Sequence, residues 1–521
     1  MNYKKIIAIV VAVCLVLTAT IAILIKTKNS TTNSQSSTAT GSATGLVAAG
    51  TCSLDTSDLF SERDLTQDYD ESEAKTITLS GSDDVKITEE GVYVLTGSFT
   101  GTVVVNVEDS EKVELVLNNV EITTKNNACI LVENADKVFI TLAEGSTNTL
   151  KNTGSYQTYD GLSNIDACIF SKEDLTLKGT GTLSIDAIGK GIVSKDDLKV
   201  TGGSYTIIAD EHAVSGKESI LINDGTFSIT AGEKGLKSKN KDEQNSGIIY
   251  IGGGDFTISA GTEGIEGTSI YIAGGKLDIT ARDDGINAAS EFQQESNLML
   301  EISGGYIHIN AQGDGVDSNG AIVVTGGETY ISGSTSGGDC AFDYETSGTV
   351  TGGLLVAAGM SEMAENFSVA DQGTILINSS STSSKDTVTL TDSDGNTLVS
   401  WTPDKTYNSV LITCPEIKQG ETYTIACGDT TAEVTMDELI YGDGKGQMGM
   451  GGFNFGGGRG GGMKDPGGNQ SASEPPTNSS GQLEKADGDS SSVPEMPTGG
   501  KGGQTPPSGG GALDTSSSNK A

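Results

Sequence analysis

Between Lys195 and Ser334 a short apolar alternation recurs, each time running into a turn of small residues. Aligned on those turns, the segments begin Leu198-Lys199-Val200-Thr201-Gly202-Gly203, Ile220-Leu221-Ile222-Asn223-Asp224-Gly225 and Ile249-Tyr250-Ile251-Gly252-Gly253-Gly254, and the pattern continues at Ile270, Leu300 and Ile322. A second alternation follows each turn, with Tyr205, Phe227, Phe256, Leu277, Ile307 and Thr329 in one column and Ile207, Ile229, Ile258, Ile279, Ile309 and Ile331 in the next. It ends on Ala209, Ala231, Ala260, Ala281, Ala311 and Gly333, spaced 22, 29, 21, 30 and 22 residues apart. Period-two alternation means strands with one buried face, and a repeat of this length means a solenoid rather than one closed core. The longer repeats carry polar inserts between Ser238 and Gly247 and between Ala289 and Asn297, which leave the strand phase intact and read as rim loops. No stretch has helical period, which excludes leucine-rich and ankyrin arrays. An all-β chain wound as a parallel β-helix is the fold expected.

Only 5% of the 521 residues are aromatic and 71 are glycine, which suits thin stacked coils better than large globular cores. A net charge of −38 excludes nucleic acid and an anionic membrane surface as partners. Such a chain either stays soluble outside the cell or collects cations. Lys4 and Lys5 precede an apolar run from Ile6 to Ile25, and Lys26 and Lys28 follow it. A run of this length can span a bilayer with the amino terminus inside. The apolar core continues straight into Ile23-Leu24-Ile25-Lys26 without small residues for cleavage, which favours an anchor through the cytoplasmic membrane; a cleaved export signal is the competitor. Either way residues 1–28 direct the remainder outside, to the cell surface. Residues 29–55, rich in Ser, Thr, Ala and Gly, read as a flexible linker.

The first coils begin at Thr76. The runs Gly91-Val92-Tyr93-Val94-Leu95-Thr96-Gly97, Lys112-Val113-Glu114-Leu115-Val116-Leu117-Asn118-Asn119 and Asn134-Ala135-Asp136-Lys137-Val138-Phe139-Ile140-Thr141-Leu142 resemble the opening of a family of exported bacterial β-helix proteins known as carbohydrate-binding domain-containing proteins. The likeness extends through the repeats to about Gly359 and on towards Glu438. The resemblance implies a right-handed parallel β-helix similar to pectate lyases, bound calcium, and binding to plant-type polysaccharides such as cellulose or acidic pectic sugars. It implies no demonstrated catalysis. The helix is expected over residues 56–375, followed by a small antiparallel β cap over 376–441 that covers its open end. From 442 to 521 glycine, serine, proline and acidic residues dominate, and a disordered tail is expected, with no sorting signal for a second anchor. A monomer is expected.

Four positions beyond each coil's small residue stands a column with Gly191, Gly235, Gly264, Gly285 and Gly315, interrupted by Ala213. A turn needing positive φ accounts for it. Just before it stand Lys190, His212, Lys234, Glu263, Asp284 and Asp314, and two positions after it stand Val193, Ser215, Lys237, Glu266, Asn287 and Asp317. Three coils therefore place oxygen ligands at both positions, one above another. Carboxylates about 4.8 Å apart repel by roughly 3 kcal/mol at an effective dielectric near 20, unless a positive charge sits between them. Oxygen donors without thiolate or imidazole select a hard cation, and calcium tolerates irregular ligand sets. Glu263, Glu266, Asp283, Asp284, Asn287, Asp314 and Asp317 are the calcium ligands expected, with Asp339 and Asp343 continuing the series and Lys234 and Lys237 ending it. Solvated acidic turns are the alternative.

On the flat face, Tyr250 and Tyr271 stand on successive coils and offer a stacking platform for a sugar chain, with Lys234 and Lys237 as further sugar contacts; packing on a sheet surface explains the tyrosines equally. A lyase needs a base beside the calcium, and Arg282 is the candidate within the repeats, although an ordinary surface ion pair explains it too. A structural adhesin without sugar specificity is the reading from another class. His212 and His308 are expected at the surface. The cysteines lack metal-site spacing. Cys129 and Cys168 fall at the glycine-like turn position, Cys340 looks comparable, Cys52 stands alone, and Cys414 with Cys427 is the expected disulfide of the cap.

Overall fold

The alternation seen in sequence becomes burial in space. Thr226–Ala231, Asp255–Ala260 and Lys276–Ala281 each alternate exposed and buried residues along their length. In the computed structural model each pairs in parallel with its counterpart one repeat later, without slip: Phe227 with Phe256, Phe256 with Leu277, Leu277 with Ile307. A second ladder stacks Ser219–Ile222, Ile248–Ile251, Ser269–Ile272 and Met299–Ile302 in the same way. A third stacks the short strands Val214–Gly216, Leu236–Ser238, Ile265–Gly267, Ile286–Ala288, Val316–Ser318 and Phe342–Tyr344. One repeat is thus one coil of three strands. The first two ladders run into a 25-stranded sheet and the third is an 11-stranded sheet.

The structure describes residues 48–159, 161–292, 298–428 and 430–442. The expected membrane segment at 6–25, most of the 29–55 linker and nearly all of the 442–521 tail lie outside the described residues. Among them the helix is a single turn, Glu62–Leu65, and no helix is long and apolar enough to cross a membrane.

The space between the ladders is filled by the inward columns, including the Ile207, Ile229, Ile258, Ile279 and Ile309 stack. Tyr205, Phe227 and Phe256 stack face to face, with centroids 5.1 and 4.5 Å apart, each contact worth about 1 kcal/mol beyond its burial. The two kinds of glycine have different causes. The last glycine of each paired turn has positive φ, for example 96° at Gly203, 104° at Gly254 and 88° at Gly275, where other residues are strained. The column of Gly235, Gly264 and Gly285 does not, contrary to the expectation from sequence. There, space is the constraint: a Cβ on Gly264 would lie 2.4 Å from Ile279 Cγ2 and 2.6 Å from the Gly285 carbonyl oxygen.

The last coil strand, Leu354–Gly359, pairs antiparallel with Thr406–Thr413, which pairs in turn with Thr374–Ser384. A 4-stranded antiparallel sheet of Val388–Thr391, Thr397–Trp401, Thr422–Cys427 and Thr430–Thr435 completes the cap. Trp401 is buried against Tyr330, and Asp404 and Lys405 reach back to His308 and the Ala311 carbonyl. The cap therefore covers the side of the last coils as well as their end. The expected Cys414–Cys427 disulfide is not formed: both thiols are free, because Cys414 follows a strand of the large sheet while Cys427 ends one in the four-stranded sheet. His212 and His308 are buried or nearly so rather than at the surface.

Candidate metal-binding column and the covered face

The acidic residues line up because the third ladder holds strict register. Lys237 pairs with Glu266, Glu266 with Asn287, Asn287 with Asp317, and Asp317 with Asp343. Ahead of the strands the same order holds through backbone bonds: Gly235 N–H donates to Glu263 O (3.2 Å), Gly264 N–H to Asp284 O (3.0 Å), Gly285 N–H to Asp314 O (2.9 Å) and Gly315 N–H to Cys340 O (3.1 Å). Cys340 thus belongs to the ligand column and not to the glycine column, where Cys129 and Cys168 do sit. Their Sγ atoms touch at 3.5 Å in the interior.

The column divides into two parts. At its lower end Lys234 Nζ sits 2.6 Å from Glu263 and 3.0 Å from Glu266, and Lys239 Nζ, from the rim insert, sits 2.5 Å from Glu266. Burial opposes the charge on Lys234, yet the two carboxylates hold its pKa above the ordinary lysine value. Burial likewise opposes ionisation of Glu263, and Lys234 lowers its pKa. Glu263 and Glu266 are therefore neutralised from within the protein. Lys234 is mostly buried in this pair, and Lys237 reaches Glu291 at 3.4 Å, so neither lysine is an open sugar contact.

At the upper end the described residues supply no such partner. Carboxylate oxygens of Asp314, Asp317 and Asp343 lie within 4.8 Å of one another, and among the described residues none of the three forms an ion pair. Burial, with the charges of Asp284, Asp317 and Asp343, pushes Asp314 up to about 7. Burial and the charges of Asp284, Asp343 and Glu345 do the same to Asp317, again to about 7. Asp284, pushed up to about 6 by burial and by Asp283, accepts from the Asp314 N–H and from Asn287 Nδ2, both at 2.8 Å. Asn287, paired in register with Asp317, has its Oδ1 buried and, among the described residues, without a hydrogen-bond partner. A buried acceptor without a donor costs about 1–3 kcal/mol. Three carboxylates and an orphaned amide oxygen are the donor set that a hard divalent cation takes.

Other candidates fall elsewhere. Asp339 is bonded by Ser336 Oγ (3.0 Å) and Ser334 Oγ (3.3 Å) in its own turn and stands outside this group. Asp283 and Arg282 are exposed at the rim, and among the described residues Arg282 forms no ion pair. A second carboxylate group, Asp196, Asp197 and Glu218, occupies another corner of the coils. Asp197 pairs with Ser219, so Asp196 and Glu218 stand one above the other on successive coils with Asp197 beside them, just ahead of the Leu198 and Ile220 columns from which the sequence was aligned.

The tyrosine face is occupied. Glu114, Phe139, Thr176, Lys199, Leu221, Tyr250, Tyr271 and Glu301 form one continuous outward column, in register from coil to coil. Residues 50–68 lie along it. Gly50 N–H donates to Ser303 O (2.6 Å), Ser53 donates to Glu301, Phe60 packs on Tyr250, Lys199 Nζ reaches Leu59 O (2.8 Å), and Asp64 pairs with Lys137 (2.7 Å). The end of the expected linker, from residue 48, is therefore docked chain. Polar composition alone does not reveal this, because the partners are supplied by coils far away in sequence.

A family model described as carbohydrate-binding domain-containing protein matches residues 81–339 and 269–461, which together take in the coils and the cap. The chain belongs to this family. Another carbohydrate-binding domain-containing protein, from Acetivibrio thermocellus, is 42% identical over 186 residues, 35% of this chain and 65% of that protein, so the match spans just under two thirds of the relative. Among solved structures, the gadolinium derivative of a polysaccharide lyase-like protein from C. thermocellum aligns with 26% identity and a TM-score of 0.36, over 53% of this chain and 96% of that one. The coils within the matched region carry both the acidic column and the covered tyrosine face.

Proposed function

We propose that the chain is a calcium-dependent polysaccharide-binding protein of the cell surface, held there by residues 6–25, with its coils wound as a right-handed parallel β-helix. Family membership supports the carbohydrate role, and the ladders support the winding, since parallel crossover connections are almost always right-handed. The observation that carries the calcium reading is the group Asp314, Asp317 and Asp343, within 4.8 Å and, among the described residues, without an ion-pair partner, next to Asn287, which pairs in register with Asp317 and has an unpartnered buried amide oxygen. Asp314, Asp317 and Asp343 would hold the ion, with Asn287 as amide donor. Bound calcium would neutralise the column and offer open positions to sugar oxygens or carboxylates.

Binding is favoured over lyase chemistry because the lysines near the column are engaged with Glu263, Glu266 and Glu291. Among the described residues, Arg282 beside Asp283 is the basic side chain left near the column without an ion pair. Calorimetry tests the reading: calcium is expected to bind with a dissociation constant on the order of 10⁻⁴ to 10⁻³ M, and the double change Asp317→Asn, Asp343→Asn is expected to abolish it. Pull-down on cellulose and polygalacturonate should then fall in chelator. Calcium binding that survives the double change sinks the site, and retention on the polysaccharides that is indifferent to chelator sinks the dependence.

A further inference from the structure

The segment that covers the tyrosine column is held unevenly along its length. From Ser61 to Asp68 it is locked. Ser61 caps the Glu62–Leu65 turn, and Asp64, only 1% exposed, bonds Lys137 Nζ (2.7 Å) and Thr176 Oγ1 (2.8 Å). Its carboxyl is held down at about 2 by Lys137, Ser61 and Thr176 against the cost of burial. Gln67 takes the Gly179 N–H (2.8 Å), and Lys178 reaches Asp68 O (3.2 Å). Removing this half would leave buried charges without partners.

From Thr51 to Phe60 the hold is of another kind. Thr51, Ser53 and every residue from Asp55 to Asp58 are exposed, and the contacts to the coils are few. Gly50 lies flush on the Gly326 turn, where a side chain would not fit. Ser53 gives both its N–H (2.7 Å) and its hydroxyl to the Glu301 carboxylate, and Phe60 tilts onto Tyr250 with centroids 6.4 Å apart. Glu301 is 1% exposed, and among the described residues the donors to its carboxylate come from this segment.

What the segment covers is chemically a sugar subsite. Two aromatic rings stand on successive coils, Tyr250 under Tyr271, and a carboxylate follows on the next, Glu301. Rings take the apolar faces of pyranoses, and a carboxylate takes paired hydroxyl donors at short range. The Ser53 hydroxyl and N–H stand where two sugar donors would stand, and the Phe60 ring rests where a sugar ring would. The column advances about 4.8 Å per coil, comparable to one unit of an extended glycan.

We propose that Thr51–Phe60 is a releasable strap, a built-in placeholder on a glycan subsite made by Tyr250, Tyr271 and Glu301, which hinges at Ser61 while Asp64 stays locked. The occupant that displaces it is a neutral, hydroxyl-rich glycan chain lying along the stacking direction of the coils. The inference rests on the polysaccharide-binding reading and adds its self-occlusion.

Cys52 supplies the test. Its thiol lies beside the Ser303 hydroxyl and near Glu301; burial, and to a lesser degree the Glu301 charge, raise its pKa, while Ser303 lowers it. In the full chain carrying Ser303→Cys, oxidation should pin the strap by a disulfide between Cys52 and the introduced thiol, verified by mass and by thiol count. Affinity electrophoresis in hydroxyethylcellulose is expected to show at least a tenfold loss of affinity in the oxidised form and recovery on reduction. The full chain with Ser53→Ala and Phe60→Ala should instead bind at least threefold more tightly than the unaltered protein, and adding Glu301→Gln should cancel that gain. Equal binding by oxidised and reduced Ser303→Cys, or failure of the disulfide to form, overturns the strap and leaves glycan binding standing. If no form binds hydroxyethylcellulose, including the released one, the subsite falls as well; binding to polygalacturonate in the same gels would show that the polysaccharide reading itself survives.

Discussion

A single ammonium group sets where along the acidic column an external cation is needed. Lys234 lies between Glu263 and Glu266, both nearly buried, and one coil further on its influence is replaced by the mutual repulsion of Asp284, Asp314, Asp317 and Asp343. Replacing Lys234 by Met should leave two buried carboxylates short of a partner. The expected cost is about 3 kcal/mol of unfolding free energy, read by urea denaturation at pH 7, and calcium should restore part of it. No loss would mean that Lys239 alone balances Glu263 and Glu266. Sequence spacing displayed Lys234 as the end of the series because it shares the column. It could not display Lys239, which reaches Glu266 from a rim insert whose path follows no repeat. Nor could spacing separate Asp339 from the ligands, since the turn from Gly333 to Cys340 is four residues longer than its counterpart from Ala311 to Asp314 and leaves Asp339 bonded to Ser334 and Ser336 instead.

At the scale of the strand and turn, the repeat was legible because two periods coincide in it: two residues for the pleat and one coil for the stack. Phe227, Phe256 and Leu277 announce their register by type alone, and the inserts after Ser238 and Ala289 leave it unchanged. The cause of the glycine column was not legible, since a string of letters distinguishes a φ requirement from a lack of room only when the neighbouring coil is in view. The structure makes the difference testable. Gly264→Ala adds one methyl group against Ile279 and the Gly285 carbonyl and is expected to lower stability by about 2 kcal/mol, measured as a fall in Tm. Gly395→Ala adds the same group where nothing lies within 4 Å, at a positive φ of 86°, and should cost about 1 kcal/mol for its backbone conformation alone. If Gly264→Ala proves the milder change, packing is not what fixes that column.

Taken as one body, the described chain is closed by a cap whose seating depends on pH. His308 Nδ1 lies 3.0 Å from Asp278 and its Nε2 2.8 Å from Asp404 of the cap. Burial disfavours the imidazolium, yet the two carboxylates raise it to about 9 from an ordinary 6.5. The stabilisation is therefore complete below pH 6.5 and is lost as pH rises through 9, by at most about 3 kcal/mol. Lys276, Tyr306 and Glu328 also face this junction. Lys405, lowered to about 8 by burial, works in the opposite sense above that pH, because the folded state then holds fewer protons than the unfolded one. With calcium in excess, stability should fall between pH 6.5 and 8, level off near 9 and recover beyond it. Fluorescence of the single tryptophan, Trp401, reports the cap, and His308→Gln should remove the fall while leaving the recovery.

The strap and its locked continuation run against the order of synthesis. Ser53 meets Glu301 across 248 residues, and Asp64 meets Thr176 across 112. The earliest described stretch therefore finds its seat only after later coils have been laid down, and such distant pairings are slow. A chain threaded outward from its amino end would hold the strap outside before Tyr250, Tyr271 and Glu301 arrive, so the track closes as soon as its own coils form and any glycan must compete with a cover already waiting there.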